Sequence, residues 1–266
     1  VQKRAAEAEV RSQISRLDQA IQAYQLELQG LPGAAPNSYY DADGYLAAPG
    51  GDPLEDVYNG LTTDNPPTMT EMMMASLIGG LRFESGPGEY RFDAEGDQLG
   101  RGAISLNQTR PQRYDSFLQY ERKELAGRFG GNSAATNLNG ADSIPEILDA
   151  FTRTTPIVYV RANRGAAGIV TLNGTGSVRQ NGASFDQNGP VPAQYDLRLA
   201  APYLNVANFG SEHKDVLAGT KSREQVIFEQ FATDGQQAVN RDGYVLLSVG
   251  PDDEWGTEDD ITNFNQ

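Results

Sequence analysis

The end of the chain joins an apolar run to a dense acidic loop. Residues 244–249 read Tyr-Val-Leu-Leu-Ser-Val, a run typical of a buried strand. The segment that follows, called here the acidic loop (residues 249–261), ends at the apolar Ile261. Its carboxylates are Asp252, Asp253, Glu254, Glu258, Asp259 and Asp260. The strand before the loop and the apolar residue after it favour a folded loop over a solvated acidic tail.

The crowding of these carboxylates predicts a bound cation. Carboxylates this close repel one another unless water solvates them or a positive charge lies among them. Ca²⁺ prefers hard oxygen ligands, usually six to eight of them at roughly 2.3–2.6 Å. Gly250 and Gly256 allow the backbone to turn tightly and to direct carbonyl groups inward. The loop is not an EF-hand, because the spacing of its aspartates and glycines does not match that motif.

The overall composition excludes several classes of function. The formal net charge of −15 at pH 7 argues against nucleic acid and anionic membrane surfaces as partners. The absence of cysteine excludes thiol catalysis, cysteine-ligated zinc and disulfides. The single histidine, His213, lies in a polar run and is expected at the surface. Phosphate-binding, serine-hydrolase and zinc-protease motifs are also missing, so we expect no enzyme.

No run of residues has the length and apolar character of a membrane span. No signal peptide is visible either, and we expect any targeting segment to precede this chain.

The first 30 residues predict a long amphipathic helix. Apolar residues recur at spacings of three and four from Val10 to Leu28, and Leu31-Pro32-Gly33 ends the pattern. The segment 1–10 is charged and rich in alanine, so we expect it to project from the body of the protein. The helix is expected to lie across a sheet formed by the second half of the chain.

The segment 34–140 reads as a large irregular insertion. Turn signals fill 34–67, where Asp41 and Asp43 form an Asp-Gly turn or, less favourably, a small metal site. Thr68 and Glu71 have the spacing of a capping box, which predicts a short helix that ends at Ile78. We interpret its methionines as core residues. Residues 127–140 are predicted to form a loop.

The segment 143–266 is predicted to form the sheet. Ser143-Ile-Pro-Glu146 indicates a helix start that continues through Phe151. Strands are expected at 155–161, 168–172 and 244–249, with a loop or hairpin at 173–192 and a short element at 226–228. The fold class is therefore α+β: a long N-terminal helix packed on an antiparallel β-sheet, with a C-terminal calcium-binding loop.

Three segments together resemble type IV pilin-like proteins, and in particular the major pseudopilin of bacterial type II secretion systems. The first is the helix of 1–32, and the third is the strand and loop of 243–264. The second is 143–161, in which Asp149-Ala-Phe-Thr precedes a strand. Asp149 occupies the place of the aspartate in the family's Asp-Pro-Trp-Gly, whose last three residues are replaced here. The chain is also larger than a usual pseudopilin ectodomain, so the resemblance implies one enlarged, divergent ectodomain over 1–266.

The resemblance also implies a ligand set for Ca²⁺. The positions that match the family's loop are the side chains of Asp252, Asp259 and Asp260 and the carbonyl groups of Val249 and Glu254. Asp253 falls where the family often has glycine, so its side chain is expected to face solvent.

As a function, the resemblance implies a structural subunit of an extracytoplasmic pseudopilus or type IV pilus-like filament. Its head would lie in the periplasm or outside the cell, with an anchor in the inner membrane before assembly. Its partners would be other pilin subunits and the secretion or pilus assembly machinery, and the soluble fragment would be a monomer.

Two alternatives from other classes remain open. The first is a calcium-stabilised surface module, an adhesin or a carbohydrate-binding domain. Its ligand face would use the loops at 34–67 and 173–192 and the tyrosines at positions 39, 40, 45, 90, 114 and 120. The second, less favoured, is a hydrolase that uses paired carboxylates.

Overall fold

The computed structural model describes most of the helices and strands and part of the loops. Its described residues are 2–33, 68–79, 81–83, 90–92, 102, 114–126, 145–162, 168–171, 177–181, 184–188, 193–197, 204, 212–232 and 238–264. The predicted turns at 34–67, with Asp41 and Asp43, and the predicted loop at 127–140 lie outside these residues.

The chain divides into two compact units. One unit joins Val1–Ile14 to Asp149–Gln266, and the other is Ser15–Leu148. The first helix contributes residues to both units. The single ectodomain expected from the sequence stays a prediction, because compactness alone does not decide whether the units fold separately.

Helix α1 spans Gln2–Leu28 and confirms the predicted long N-terminal helix. The side chains of residues 3–9 are exposed or half-buried, and Val10 is the first fully buried residue of the helix. Further along, Ile14, Leu17 and Ile21 are also fully buried. This spacing of three and four residues is that of one apolar helix face. The helix ends where Gln29 adopts a left-handed conformation with φ 55°.

The unit Ser15–Leu148 combines one helix with two short antiparallel pairs. Helix α2 spans Met69–Ile78. The strands are β1 (Leu81–Phe83) paired with β2 (Tyr90–Phe92), and β3 (Leu125–Ala126) paired with β4 (Glu146–Ile147). A 3₁₀ turn at Arg122–Glu124 leads into β3.

The predicted capping box of α2 is confirmed. The Thr68 side chain accepts a hydrogen bond from the Glu71 N–H at 3.1 Å, and the Thr68 N–H donates to Glu71 Oε2 at 2.6 Å. The helix begins at Met69, two residues before Glu71, where the sequence predicted its start. Met73 and Met74 are fully buried, which agrees with their interpretation as core residues.

The helix predicted to begin at Ser143 is wrong for the described residues that follow it. Glu146 and Ile147 form strand β4, opposite Ala126 and Leu125 of β3. Glu146 is fully buried, and its carboxylate accepts a hydrogen bond from the Thr68 hydroxyl at 3.1 Å. These tertiary contacts override a local pattern that is otherwise typical of a helix start.

The second unit contains most of the strands. Its elements are β5 (Val158–Arg161), β6 (Gly168–Thr171), β7 (Ser177–Asn181), β8 (Ser184–Asn188), β9 (Ala193–Asp196), α3 (Lys214–Leu217), α4 (Arg223–Phe231), β10 (Tyr244–Ser248) and β11 (Ile261–Thr262). The strands predicted at 155–161, 168–172 and 244–249 are confirmed with slightly shorter bounds.

A three-stranded antiparallel sheet ends this unit, in the order β11-β10-β5. Strand β10 is the central strand, and all five of its residues are buried. Its apolar run is that of a strand covered on both faces rather than on one. Tyr244 lies opposite Arg161 at one end of the sheet, and Ser248 lies opposite Ile261 at the other.

A four-stranded sheet lies beside it, in the order β8-β7-β6-β9. Strands β7 and β8 form the hairpin that was one of the two predictions for 173–192. Strand β6 pairs parallel with β9. The sequence predicted an antiparallel sheet, and this prediction is wrong for that pair of strands. A bridge between Ala162 and Tyr195 connects the two sheets. Helix α4 packs on β6, β7 and β8, and it contains the short element predicted at 226–228.

The described elements therefore form an α+β protein with mainly antiparallel sheets, as the sequence predicted. Within the described ranges, no helix combines the length and the apolar character needed to cross a membrane.

Candidate metal centre

The acidic loop is held at both ends by strand pairing. It leaves β10 at Val249 and returns as β11, where Ile261 and Thr262 pair with Ser248 and Leu247. Val249 and Ile261 are both buried, and so is Trp255 in the middle of the loop. The loop is therefore anchored to the core at three points, which agrees with the prediction of a folded loop.

The loop turns back on itself with help from residues in the left-handed conformation. Gly250 has φ 71° and Gly256 has φ 82°. A Cβ atom on Gly250 would lie 2.4 Å from the carbonyl oxygen of Asp259, so the two ends of the loop touch at this point. Only glycine allows this approach without strain. Asp253 adopts φ 62° despite its side chain.

The three aspartates predicted to bind the cation lie near one another. The side chain of Asp252 is exposed, and partial burial of its carboxyl, a side-chain hydrogen bond with Asp259 and the charge of that residue raise its pKa. Burial also raises the pKa of Asp260 well above its ordinary value, and the charges of Asp252 and Asp259 add to this shift. The structure thus brings Asp252, Asp259 and Asp260 into one electrostatic cluster.

Asp260 contains the most unusual atom of the cluster. Its Oδ2 accepts a hydrogen bond from the Gly256 N–H at 2.9 Å. Its Oδ1 has almost no exposed surface, and no described residue donates a hydrogen bond to it. A buried carboxylate oxygen without a donor costs free energy, and the backbone N–H groups of Gly256 and Thr257 beside the carboxyl offset only part of that cost.

Three other loop oxygens have protein partners. The Thr257 hydroxyl contacts Asp259 Oδ1 at 2.6 Å and the Glu254 carbonyl oxygen at 3.3 Å. Asp252 Oδ1 accepts from the Glu254 N–H at 3.0 Å. Among the residues that the structure describes, no group of three or more His, Cys, Asp and Glu side chains has the arrangement of a metal-binding cluster. A cation would therefore have to compete with these hydrogen bonds.

The remaining predicted residues lie at the edges of the cluster. Val249 is fully buried directly after the last residue of β10, and the turn at Gly250 follows it. Glu254 is half-buried, and burial followed by the charges of Glu212, Asp252 and Asp253 raises its pKa. Asp253 is exposed as predicted, although it also accepts a hydrogen bond from Thr155.

His213 caps a helix, a role that the sequence did not reveal. It is half-buried rather than fully exposed, and its Nδ1 accepts a hydrogen bond from the Asp215 N–H at 3.2 Å as the cap of α3. The next residue, Lys214, forms an ion pair with Glu258 of the acidic loop. Both of these side chains are exposed, so the pair contributes little stability.

The chemistry of the loop fits Ca²⁺. Carboxylate and carbonyl oxygens are the ligands that this ion prefers, and it accepts irregular geometries that Mg²⁺ does not. A cation beside Asp260 Oδ1 would give that buried oxygen a partner. It would also offset the repulsion that raises the pKa of Asp252 and of Asp260.

Sequence reasoning missed the contact of Asp149 with the end of β10. The Asp149 carboxylate accepts a hydrogen bond from the hydroxyl of Ser248, and both residues are fully buried. The resemblance placed Asp149 just before a strand, but nothing in the sequence connects it to a residue 99 positions later.

In the comparisons with known proteins, no family model, no curated protein and no solved structure matches this chain.

The raised pKa values predict how the stability of the ion-free protein changes with pH. A carboxyl whose pKa is higher in the folded state binds more protons there than in the unfolded chain, above the ordinary value of 3.8. The free energy of unfolding should therefore fall as pH rises above about 4. Urea unfolding at several pH values, after removal of divalent cations, measures this slope.

The variant Asp260→Asn should reduce that slope, because the asparagine stays neutral at every pH while other carboxyls with raised pKa values, such as Asp252, still contribute. The control is Asp242→Asn, which removes a charge at an exposed position outside the acidic loop and should leave the slope as it was. A full slope in Asp260→Asn would show that Asp260 is not one of the titrating groups.

Proposed function

We propose that this chain is a structural subunit of an extracytoplasmic filament of the type IV pilin-like class, similar to the major pseudopilin that it resembles. Ca²⁺ bound by the acidic loop would stabilise the head of the subunit. The observation that carries this proposal is the buried Asp260 Oδ1, which has no donor among the described residues and lies close to Asp252 and Asp259.

The proposed ligands follow from that cluster. The carboxylates of Asp252, Asp259 and Asp260 supply the negative charge, and the carbonyl groups of Val249 and Glu254 supply neutral oxygens. All five lie in the segment between β10 and β11. A cation bound there holds the two ends of the segment together and so supports the pairing of β11 with β10.

The order of the elements supports the filament part of the proposal. A long helix comes first, the antiparallel sheet built around β10 comes near the end, and the acidic loop follows β10. The exposed first turns of α1 offer a surface on which neighbouring subunits would pack.

The tyrosines give little support to a carbohydrate-binding surface. Tyr114 and Tyr120 are the two of the six predicted tyrosines whose side chains the structure describes, and both are half-buried. The Tyr114 ring packs against Phe117, with 6.4 Å between the ring centroids. These contacts are those of core packing rather than of an open stacking platform.

Calcium should raise the melting temperature of the protein. An ion that binds only the folded state adds about 2.7 kcal/mol at a concentration one hundred times its Kd. Mg²⁺ should raise the melting temperature much less, because it demands a smaller and nearly octahedral site. Thermal melts in EGTA, and then with each ion added in excess, measure both effects.

The double variant Asp259→Ala with Asp260→Ala should lose the rise with Ca²⁺. The matched control is Glu229→Ala with Asp242→Ala, which removes two carboxylates that lie outside the loop in exposed ion pairs. The control should keep the rise. An equal rise in both double variants would place the ion elsewhere and contradict the proposed ligand set.

Cross-linking tests the filament part separately. The chain contains no cysteine, so a single Ala8→Cys substitution on the exposed start of α1 gives a unique thiol. In the full-length protein in its own cells, a short bismaleimide should join Ala8→Cys subunits into dimers, and the separately expressed single variant Ser12→Cys should behave in the same way. The unchanged chain is the control. Monomers alone from both single variants, with the thiol modified in each, would contradict a filament and favour the surface-module alternative.

A further inference from the structure

The turn of residues 149–155 lies directly beside the acidic loop and begins with a buried aspartate. Asp149 is fully buried, although aspartate is usually found at the protein surface. Its Oδ1 accepts a hydrogen bond from the Phe151 N–H at 2.6 Å, and its backbone N–H donates to the Thr155 carbonyl at 2.8 Å. The turn is therefore closed on itself around the Asp149 carboxylate.

The second oxygen of this carboxylate is directed at the end of β10. Asp149 Oδ2 accepts a hydrogen bond from the Ser248 hydroxyl. The Ser248 oxygen in turn accepts from the Gly250 N–H at 3.3 Å. Because a carboxylate only accepts hydrogen bonds, it fixes the direction of the Ser248 hydroxyl and leaves the Ser248 lone pairs for Gly250. The chain of contacts runs from Asp149 through Ser248 into the first turn of the acidic loop.

A second contact joins the same turn to the loop a few residues later. The Thr155 hydroxyl donates to Asp253 Oδ1 at 3.1 Å. Asp253 is the non-glycine residue of the described loop that adopts a left-handed conformation. The turn thus contacts the acidic loop on both sides of Asp252, at Gly250 through Ser248 and at Asp253 through Thr155.

These two contacts lie on either side of the part of the loop that contains the first two proposed Ca²⁺ ligands in the chain. Val249 and Asp252 both lie between Ser248 and Asp253 in the chain. The other half of the loop is held differently, by the hydrogen bond from Gly256 to Asp260 and by the pairing of β11. Without the 149–155 turn, the first half of the loop would lose these two hydrogen-bonded contacts.

We propose that Asp149 is a positioning residue of the calcium loop, which acts through Ser248 to fix the turn at Gly250 and with it the Val249 carbonyl and the Asp252 carboxylate. This inference rests on the proposed function, because it requires the loop to bind Ca²⁺. Groups that orient the ligands of a metal site typically change its affinity by about 10- to 100-fold when they are removed.

A double-mutant cycle between Asp149 and Ser248 tests the inference. Asp149→Asn keeps the size of the side chain but presents a donor to Ser248 in place of an acceptor. Ser248→Ala removes the hydroxyl. Each variant should weaken Ca²⁺ binding by about 10- to 100-fold in isothermal titration. The double variant should lose little more than either single variant, because both interrupt the same chain of contacts.

The control separates positioning of the loop from a general loss of stability. Ser76 Oγ accepts a hydrogen bond from the Gly33 N–H at 3.2 Å and donates to the Met72 carbonyl at 2.8 Å, outside the turn and the acidic loop. Ser76→Ala should lower the melting temperature in EGTA and leave the Kd for Ca²⁺ unchanged.

Three outcomes are distinguishable. Weaker binding in both single variants, without additive loss in the double variant, supports the inference. Unchanged Kd values in folded Asp149→Asn and folded Ser248→Ala overturn it, while the proposed function stands. If the unchanged chain itself binds no Ca²⁺, the proposed function fails and this inference fails with it.

Discussion

The pairing of β10 with β5 on one side and β11 on the other is the interaction on which the candidate site depends. Strand β10 is buried along its whole length, so its place in the core is fixed by apolar contacts and by the two ladders of hydrogen bonds. Since β11 comes after the acidic loop in the chain, its pairing closes that loop. A crowded acidic segment is thereby held in a compact shape that it would not adopt in isolation.

That shape has an electrostatic cost. Burial raises the pKa of Asp252 and of Asp260, and the negative charges of the neighbouring aspartates add to this shift. One oxygen of Asp260 is also buried without a described donor. Both features disfavour the ionised loop without a cation, and a bound Ca²⁺ would offset both. The 149–155 turn contacts the loop through the Ser248 and Thr155 hydroxyl groups, and these two contacts bring no positive charge to the loop.

Local patterns in the sequence predicted the helices and strands that depend on residues close together in the chain. Helix α1, the capping box at Thr68 and the strand runs at β5 and β10 all follow from spacing and residue type. The helix predicted at Ser143 failed because Glu146 is held by β3 and by Thr68, which are distant in the chain. The parallel pairing of β6 with β9 and the contact of Asp149 with Ser248 are also long-range, so no local pattern could reveal them. The positions of the aspartates in the acidic loop were predictable from the sequence. The burial of Asp260 Oδ1 was not, because it depends on how the loop folds.

The most direct test of a cation site in the acidic loop uses the single tryptophan of the chain, Trp255, which lies buried within that loop. Tb³⁺ replaces Ca²⁺ at oxygen sites and emits when a nearby excited tryptophan transfers energy to it. Excitation of Trp255 during a Tb³⁺ titration should give saturable Tb³⁺ emission that excess Ca²⁺ abolishes and Mg²⁺ does not. Absence of sensitised emission from the folded protein, or emission that Ca²⁺ does not displace, would contradict a calcium site in this loop.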